Sequence, residues 1–294
     1  MARDVRRADR HDYPSSARKS LHQNQDGLTD NRGRWTRVTS DKIDAEVREP
    51  VQDELLCLAD TKLVLGNWFA ECVMNGKSLP DFAAMLGMCT ASYGQTRAIY
   101  RYLDLLDHSY GHLEKGRAAG EIRSMDLLDE PPRDWPDFII SIWLAEQASW
   151  SMASGFLRSP DRTIAGIARK IGEEAYFHLK YASGWLRILN GADDDRGRAR
   201  EALSLRWPLA LRWFGPAEPV DRLAAAGWRD PGIGDIRAGL ADEVQRSVTP
   251  LGIDLATLPG PDFPPEWRPR ARRTGSLPAR LFEVIRFKDA ELAR

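Results

Sequence analysis

The sequence contains no run of about 18 apolar residues, so no membrane-spanning helix is expected. It also carries little excess charge. Its 42 Lys and Arg against 43 Asp and Glu leave a formal net charge of -1, and no overall basic field points to nucleic acid or to an anionic membrane surface. Cysteine is scarce. Cys57, Cys72 and Cys89 are odd in number, lack metal-finger spacing and fall in apolar helical patterns, where a free thiol behaves as a small hydrophobe. The start, MARDVRRADRHDYPSS, lacks the apolar stretch of a secretory signal, and its Asp4, Asp9 and Asp12 argue against a transit peptide. A reducing, cytoplasmic setting is the expectation. Strand-like alternation, repeats at solenoid periods, Gly-rich phosphate loops, nucleophile elbows and Cys/His dyads are all missing.

What the chain has is helical periodicity. Hydrophobic residues make up 43% of its 294 residues, enough for a sizeable core. Residues 1–45 are polar and read as a flexible, mildly basic N-terminal arm. Four long amphipathic helices are predicted at about 51–75, 80–107, 136–157 and 160–190. Asn75-Gly76 and Asn190-Gly191 supply stop signals, and Pro80-Asp81 and Pro136-Asp137 are suitable first-turn residues. The connection 108–134 holds a possible short helix at 117–128. Short links between the first and second helices, and between the third and fourth, favour antiparallel neighbours, so residues 46–195 form an all-α four-helix bundle. Residues 196–294 form a C-terminal helical extension packed on it: helices at 196–214 and 231–249, a Pro- and Arg-rich wrap at 250–275, and a final helix at 277–293.

Following each helix at i, i+3, i+4, i+7 places polar groups on the core-facing side near mid-length. In the first helix the stripe runs through Leu56, Leu63, Asn67, Ala70 and Met74, with Glu71 beside it. The second contributes Gln95, the third Glu146, and the fourth Glu174 with His178. A buried carboxylate without a partner takes up a proton rather than stay charged, and several converging ones repel. A metal, a basic side chain, protonation or water must compensate. Two-metal sites in helix bundles use this layout, with Glu from two helices and Glu-x-x-His from each of the others. Here the second helix offers Gln95-Thr96-Arg97-Ala98, and the fourth places Glu174 and His178 four apart rather than three. Two readings follow. In one, Glu71, Gln95, Glu146, Glu174 and His178 form a metal-free buried network balanced by Lys62, Arg97 or Lys170, and no cofactor is expected. In the other, Glu71, Glu146, Glu174 and His178 hold iron, as an atypical diiron or a mononuclear centre.

The stretches Leu58-Ala-Asp-Thr-Lys-Leu-Val-Leu-Gly66 through Glu71, Tyr93-Gly-Gln-Thr-Arg97, Trp143-Leu-Ala-Glu146 and Glu174-Ala-Tyr-Phe-His-Leu-Lys-Tyr-Ala-Ser-Gly-Trp185 resemble the PaaA/PaaC family of phenylacetyl-CoA epoxidase (ring 1,2-epoxidase) subunits. The resemblance covers about 55–250. It implies a ferritin-like bundle and two subunit types. The catalytic type holds two irons and epoxidises the aromatic ring with oxygen; the structural type has lost the ligands and pairs with it. By the resemblance, Glu71, Glu146 and Glu174 match ligand positions, Gln95 and Ala98 mark the lost pair, and His178 matches the histidine of the structural type. Gly-Gln-x-Arg and Glu-x-x-x-His are similar to the structural type, whereas Trp-Leu-x-Glu and the C-terminal region are similar to the catalytic type. The implied partners are an iron-bearing homologous subunit, a reductase and an aromatic acyl-CoA; neither nucleic acid nor membrane is expected. The competing readings are a divergent active non-haem iron oxygenase and a stand-alone ferritin-like binding or scaffold protein.

Other features point to structure. The tryptophans in helices, among them Trp68, Trp143 and Trp213, are expected in the core or an interface. His108 and His112 read as surface, Asp193-Asp194-Asp195 as a solvated turn, and Arg268, Arg270, Arg272 and Arg273 as a solvated loop, with a CoA phosphate or an acidic partner as the alternative for the arginines.

Overall fold

Four long helices lie side by side, three of them opened by a capping side chain that the sequence supplies. The structure is a computed structural model and describes residue 43, residues 45–216 and residues 221–285. The expected N-terminal arm and the far end of the last helix lie outside those residues. Helix α1 is Ala45–Cys72, α2 Leu79–Asp104, α3 Trp135–Ser154 and α4 Arg162–Leu189. Ser78, Asp134 and Asp161 cap α2, α3 and α4 by accepting backbone N–H bonds from Asp81, Asp137, and Thr163 with Ile164. Each bond satisfies a donor that a helix start leaves without an intrahelical partner. α1 begins a full turn before the predicted start, with Pro50 inside it. Burial of Val47 in that first turn offsets the ladder bond that proline cannot make.

Short links make α1 and α2 neighbours, and α3 and α4 likewise; α2 also packs on α4, and α1 on α3. The fold is the all-α, ferritin-like four-helix bundle with extra C-terminal helices. Those extra helices are α5 (Asp193–Trp213), the single turn α6 (Arg222–Ala225), α7 (Ile233–Val248) and α8 (Ala279–Ile285). α5 and α7 both lie against α3. α3 is therefore enclosed, and Phe138 to Ser149 are all buried. α1 is likewise buried from Glu54 to Phe69 except at Leu63.

Between α2 and α3 the predicted short helix is replaced by a π-turn at His112–Gly116 and two single 3-10 turns, Ala119–Glu121 and Asp126–Leu128. The C-terminal wrap carries a two-residue antiparallel ladder, β1 (Trp267–Arg268) with β2 (Arg273–Thr274). Among the described residues, no helix is long and apolar enough to cross a membrane.

Candidate functional site

At mid-bundle three side chains from three helices meet in the core. Lys62 of α1, Glu146 of α3 and His178 of α4 are all buried. Lys62 Nζ donates to Glu146 Oε2 at 2.5 Å, and His178 Nδ1 lies 2.7 Å from Glu146 Oε1. Burial alone would push the Glu146 carboxyl up. The Lys62 ammonium and the His178 ring outweigh it and hold the group down to about 2. The carboxylate is thus ionised and accepts only, so the imidazole donates through Nδ1–H. Both carboxylate oxygens are thereby engaged, one by the ammonium and one by the imidazole. The edge of Phe69, its ring centroid 6.0 Å from that of His178, helps fix the imidazole plane.

Gln95 and Glu174 form a second, separate pair nearer the surface. Gln95 Nε2 donates to Glu174 Oε2 at 2.6 Å, and Lys170 Nζ sits 3.1 Å from Glu174 Oε1. Gln95 is buried and Glu174 half-buried, so this cluster spans the seam between α2 and α4. Gln95 Oε1 is buried without a hydrogen-bond partner among the described residues, as are the hydroxyls of Ser92 and Ser149.

Glu71 departs from the inward row. It is exposed near the end of α1, where Asn67 and Arg280 hold its two oxygens at 3.1 and 3.2 Å. The stripe that carried the inward placement, through Leu63, Ala70 and Met74, runs along the edge of α1, and Ala70 and Met74 are exposed. Ala98 and Arg97 are exposed as well, and Arg97 pairs with Glu114 at 3.6 Å. Of the expected residues, then, Lys62, Glu146 and His178 come together, Gln95, Glu174 and Lys170 come together, and Glu71, Arg97 and Ala98 stand apart. Among the described residues no three His, Cys, Asp or Glu side chains gather where they could share a metal ion.

A third buried cluster escaped the sequence reading. Asp60, one residue from Thr61 and two from Lys62, accepts both arms of Arg117 at 2.7 Å and the Tyr100 hydroxyl at 2.5 Å. The Arg123 backbone N–H adds a bond at 2.8 Å. This fork ties the α2–α3 connection to α1. The signal was present: Asp60 and Lys62 are opposite charges inside an otherwise apolar stretch.

The C-terminal arginines are not a solvated loop. Arg273 is wholly buried, bonding Ser124 and Asp129; Arg272 pairs with buried Glu54; Arg270, exposed, reaches Asp53 at 2.7 Å. Together they fasten the wrap to α1 and to the α2–α3 connection. Asp193-Asp194-Asp195 are not a turn but the first turn of α5, placed where helix dipoles favour anions and paired with Arg196 and Arg198. His112 is exposed beside Glu121, and His108 is half-buried. Trp68, Trp143 and Trp213 are core residues as expected.

The family model for phenylacetic acid catabolic proteins (PaaA/PaaC) matches residues 36–264. The chain is also 26% identical over 224 residues to a 1,2-phenylacetyl-CoA epoxidase subunit of Escherichia coli (strain K12), the one designated C. That alignment covers 75% of this chain and 85% of the relative. A helix bundle with a polar centre at mid-length, matched over most of its length by one family model, places this chain in the PaaA/PaaC family of phenylacetic acid catabolic proteins.

Proposed function

We propose that the chain is a non-catalytic subunit of a multicomponent oxygenase that epoxidises the ring of an aromatic acyl-CoA, and that it pairs with an iron-bearing homologous subunit served by a reductase. The family and the epoxidase relative supply the reaction class. The observation that carries the non-catalytic role is the Lys62 ammonium 2.5 Å from Glu146. A metal ion bound by Glu146 would sit beside a fixed positive charge, and both of that carboxylate's oxygens are already engaged. Glu71 faces solvent, and Glu174 is turned to Gln95 and Lys170. This donor set does not fit a two-iron centre. The protein's own cation fills the role a metal would have. The proposed setting is the cytoplasm, in keeping with three unpaired cysteines.

The test is metal analysis of the purified chain, alone and co-expressed with the iron-bearing family member from the same organism. Iron is expected only in the co-expressed sample and only in proportion to the second subunit. Near-stoichiometric iron in the chain expressed alone would overturn the reading.

A further inference from the structure

The outer face of α2 is built unlike a surface helix. From Phe82 to Thr96, fifteen residues spanning about 22 Å at helical rise, no charged side chain occurs. Solvent-facing helix faces ordinarily carry charge. Here the outward positions are Ala83, Gly87, Thr90, Gly94 and Ala98, all exposed. Glycine in a helix interior lowers helix stability relative to alanine, so it calls for a packing reason. Among the described residues none exists: a Cβ at Gly87 or Gly94 would meet nothing within 4 Å. Gly172, by contrast, lies under Trp150.

α4 continues this face. Gln95 meets Glu174, while Asp81 accepts from Tyr181 and Trp185, so the two helices run antiparallel. On the same side of α4, spaced three or four residues from those contacts, Phe177 is 68% and Ile188 59% exposed; Leu86 on α2 is 43% exposed. Apolar groups of this size left open beside a glycine groove mark an interface.

The rim identifies the occupant. Exposed charged residues on α2 and α4 number seven basic (Arg97 and Arg101; Arg162, Arg169, Lys170, Lys180 and Arg187) and two acidic (Asp104 and Glu173); Arg97 is balanced by Glu114 and Lys170 by Glu174, so the other five basic groups carry the excess. In a chain of net charge -1 this is a local basic field. A second copy would bring the same basic rim against it. An anionic lipid surface would match the charge but leave the glycine groove unfilled, since grooves of small residues serve close approach of another helix.

We propose that the α2–α4 face docks a helix of the iron-bearing homologous subunit, through an apolar strip flanked by acidic side chains. This rests on the proposed function above. The experiment measures binding of full-length chain to that subunit, with Gly94→Leu, Phe177→Ser and, as control, Gly197→Leu on α5, another exposed glycine whose Cβ would meet nothing. Gly94→Leu should raise the thermal midpoint of the chain alone, because it adds helix propensity at an open position, yet weaken the complex by roughly tenfold or more. Phe177→Ser should weaken it similarly, Gly197→Leu should leave it unchanged, and added salt should weaken the wild-type complex. If the wild type forms no complex, the functional reading and the docking proposal both fail. A wild-type complex that Gly94→Leu and Phe177→Ser leave intact overturns the docking face alone. So does a dimer of this chain disrupted by Gly94→Leu, or binding to phosphatidylserine vesicles lost in the same variants.

Discussion

Lys62→Met keeps the length of the side chain and removes its charge, which makes it the sharpest probe of the buried centre. In the wild type, a carboxyl held at about 2 against an ordinary 4.5 corresponds to about 3 kcal/mol of preference for the charged form in the fold. That contribution is present above pH 4.5 and is lost as pH falls from there towards 2. Without the ammonium, burial dominates and the Glu146 carboxyl moves above its ordinary value. The folded state then favours the protonated form, and its stability is lost as pH rises. Removing one partner of a buried ion pair costs about 3–5 kcal/mol, a large part of the roughly 5–15 kcal/mol that holds a domain folded. Urea unfolding of wild type and variant at about pH 7 and about pH 5 should show a gap of that size at the higher pH, narrowing at the lower one. Adding Glu146→Gln to the variant should recover part of the loss. A Lys62→Met protein within about 1 kcal/mol of wild type at neutral pH, with a parallel pH dependence, would refute the argument that the ammonium balances Glu146.

Gln95→Glu sets a second carboxylate where an amide now donates to Glu174 at 2.6 Å. It should destabilise the chain by about 1–3 kcal/mol at neutral pH, because one carboxyl of the pair is pushed up; the loss should fade on acidification in thermal melts. Arg117→Met should cost about 3–5 kcal/mol in urea unfolding by leaving the Asp60 carboxylate buried without its counter-charge, and Asp60→Asn in the same chain should return part of it. Arg273→Lys keeps the charge but loses the fork that reaches Ser124, Asp129 and Ser276. It should cost about 2 kcal/mol and speed thermolysin cleavage within 255–266.

The helices were legible because they carry local signals. Pro80-Asp81 and Pro136-Asp137 mark starts that the structure confirms to within one residue, and α4 keeps one apolar stripe from Ile164 through His178 to Leu189. The centre was only half legible. α1 and α3 are surrounded, so apolar residues appear all round them and periodicity gives no direction. That is why Glu71 was placed inward although it sits on an edge, and why Lys62 was one of three candidates rather than the choice. The Arg117 and Arg273 ion pairs join residues 57 and 144 positions apart, and spacing along the chain holds no trace of such pairings.

The ammonium at the bundle's centre has a supply-side meaning. A cation carried on the polypeptide is made in the same act of synthesis as the carboxylate it neutralises, at a fixed ratio of one to one. Chelators cannot withdraw it, competing ions cannot replace it, and oxygen or a reductant leaves its charge unchanged. On the proposed reading, the core of this chain needs no iron to close, and the finished bundle is ready for its partner before that partner has acquired its metal.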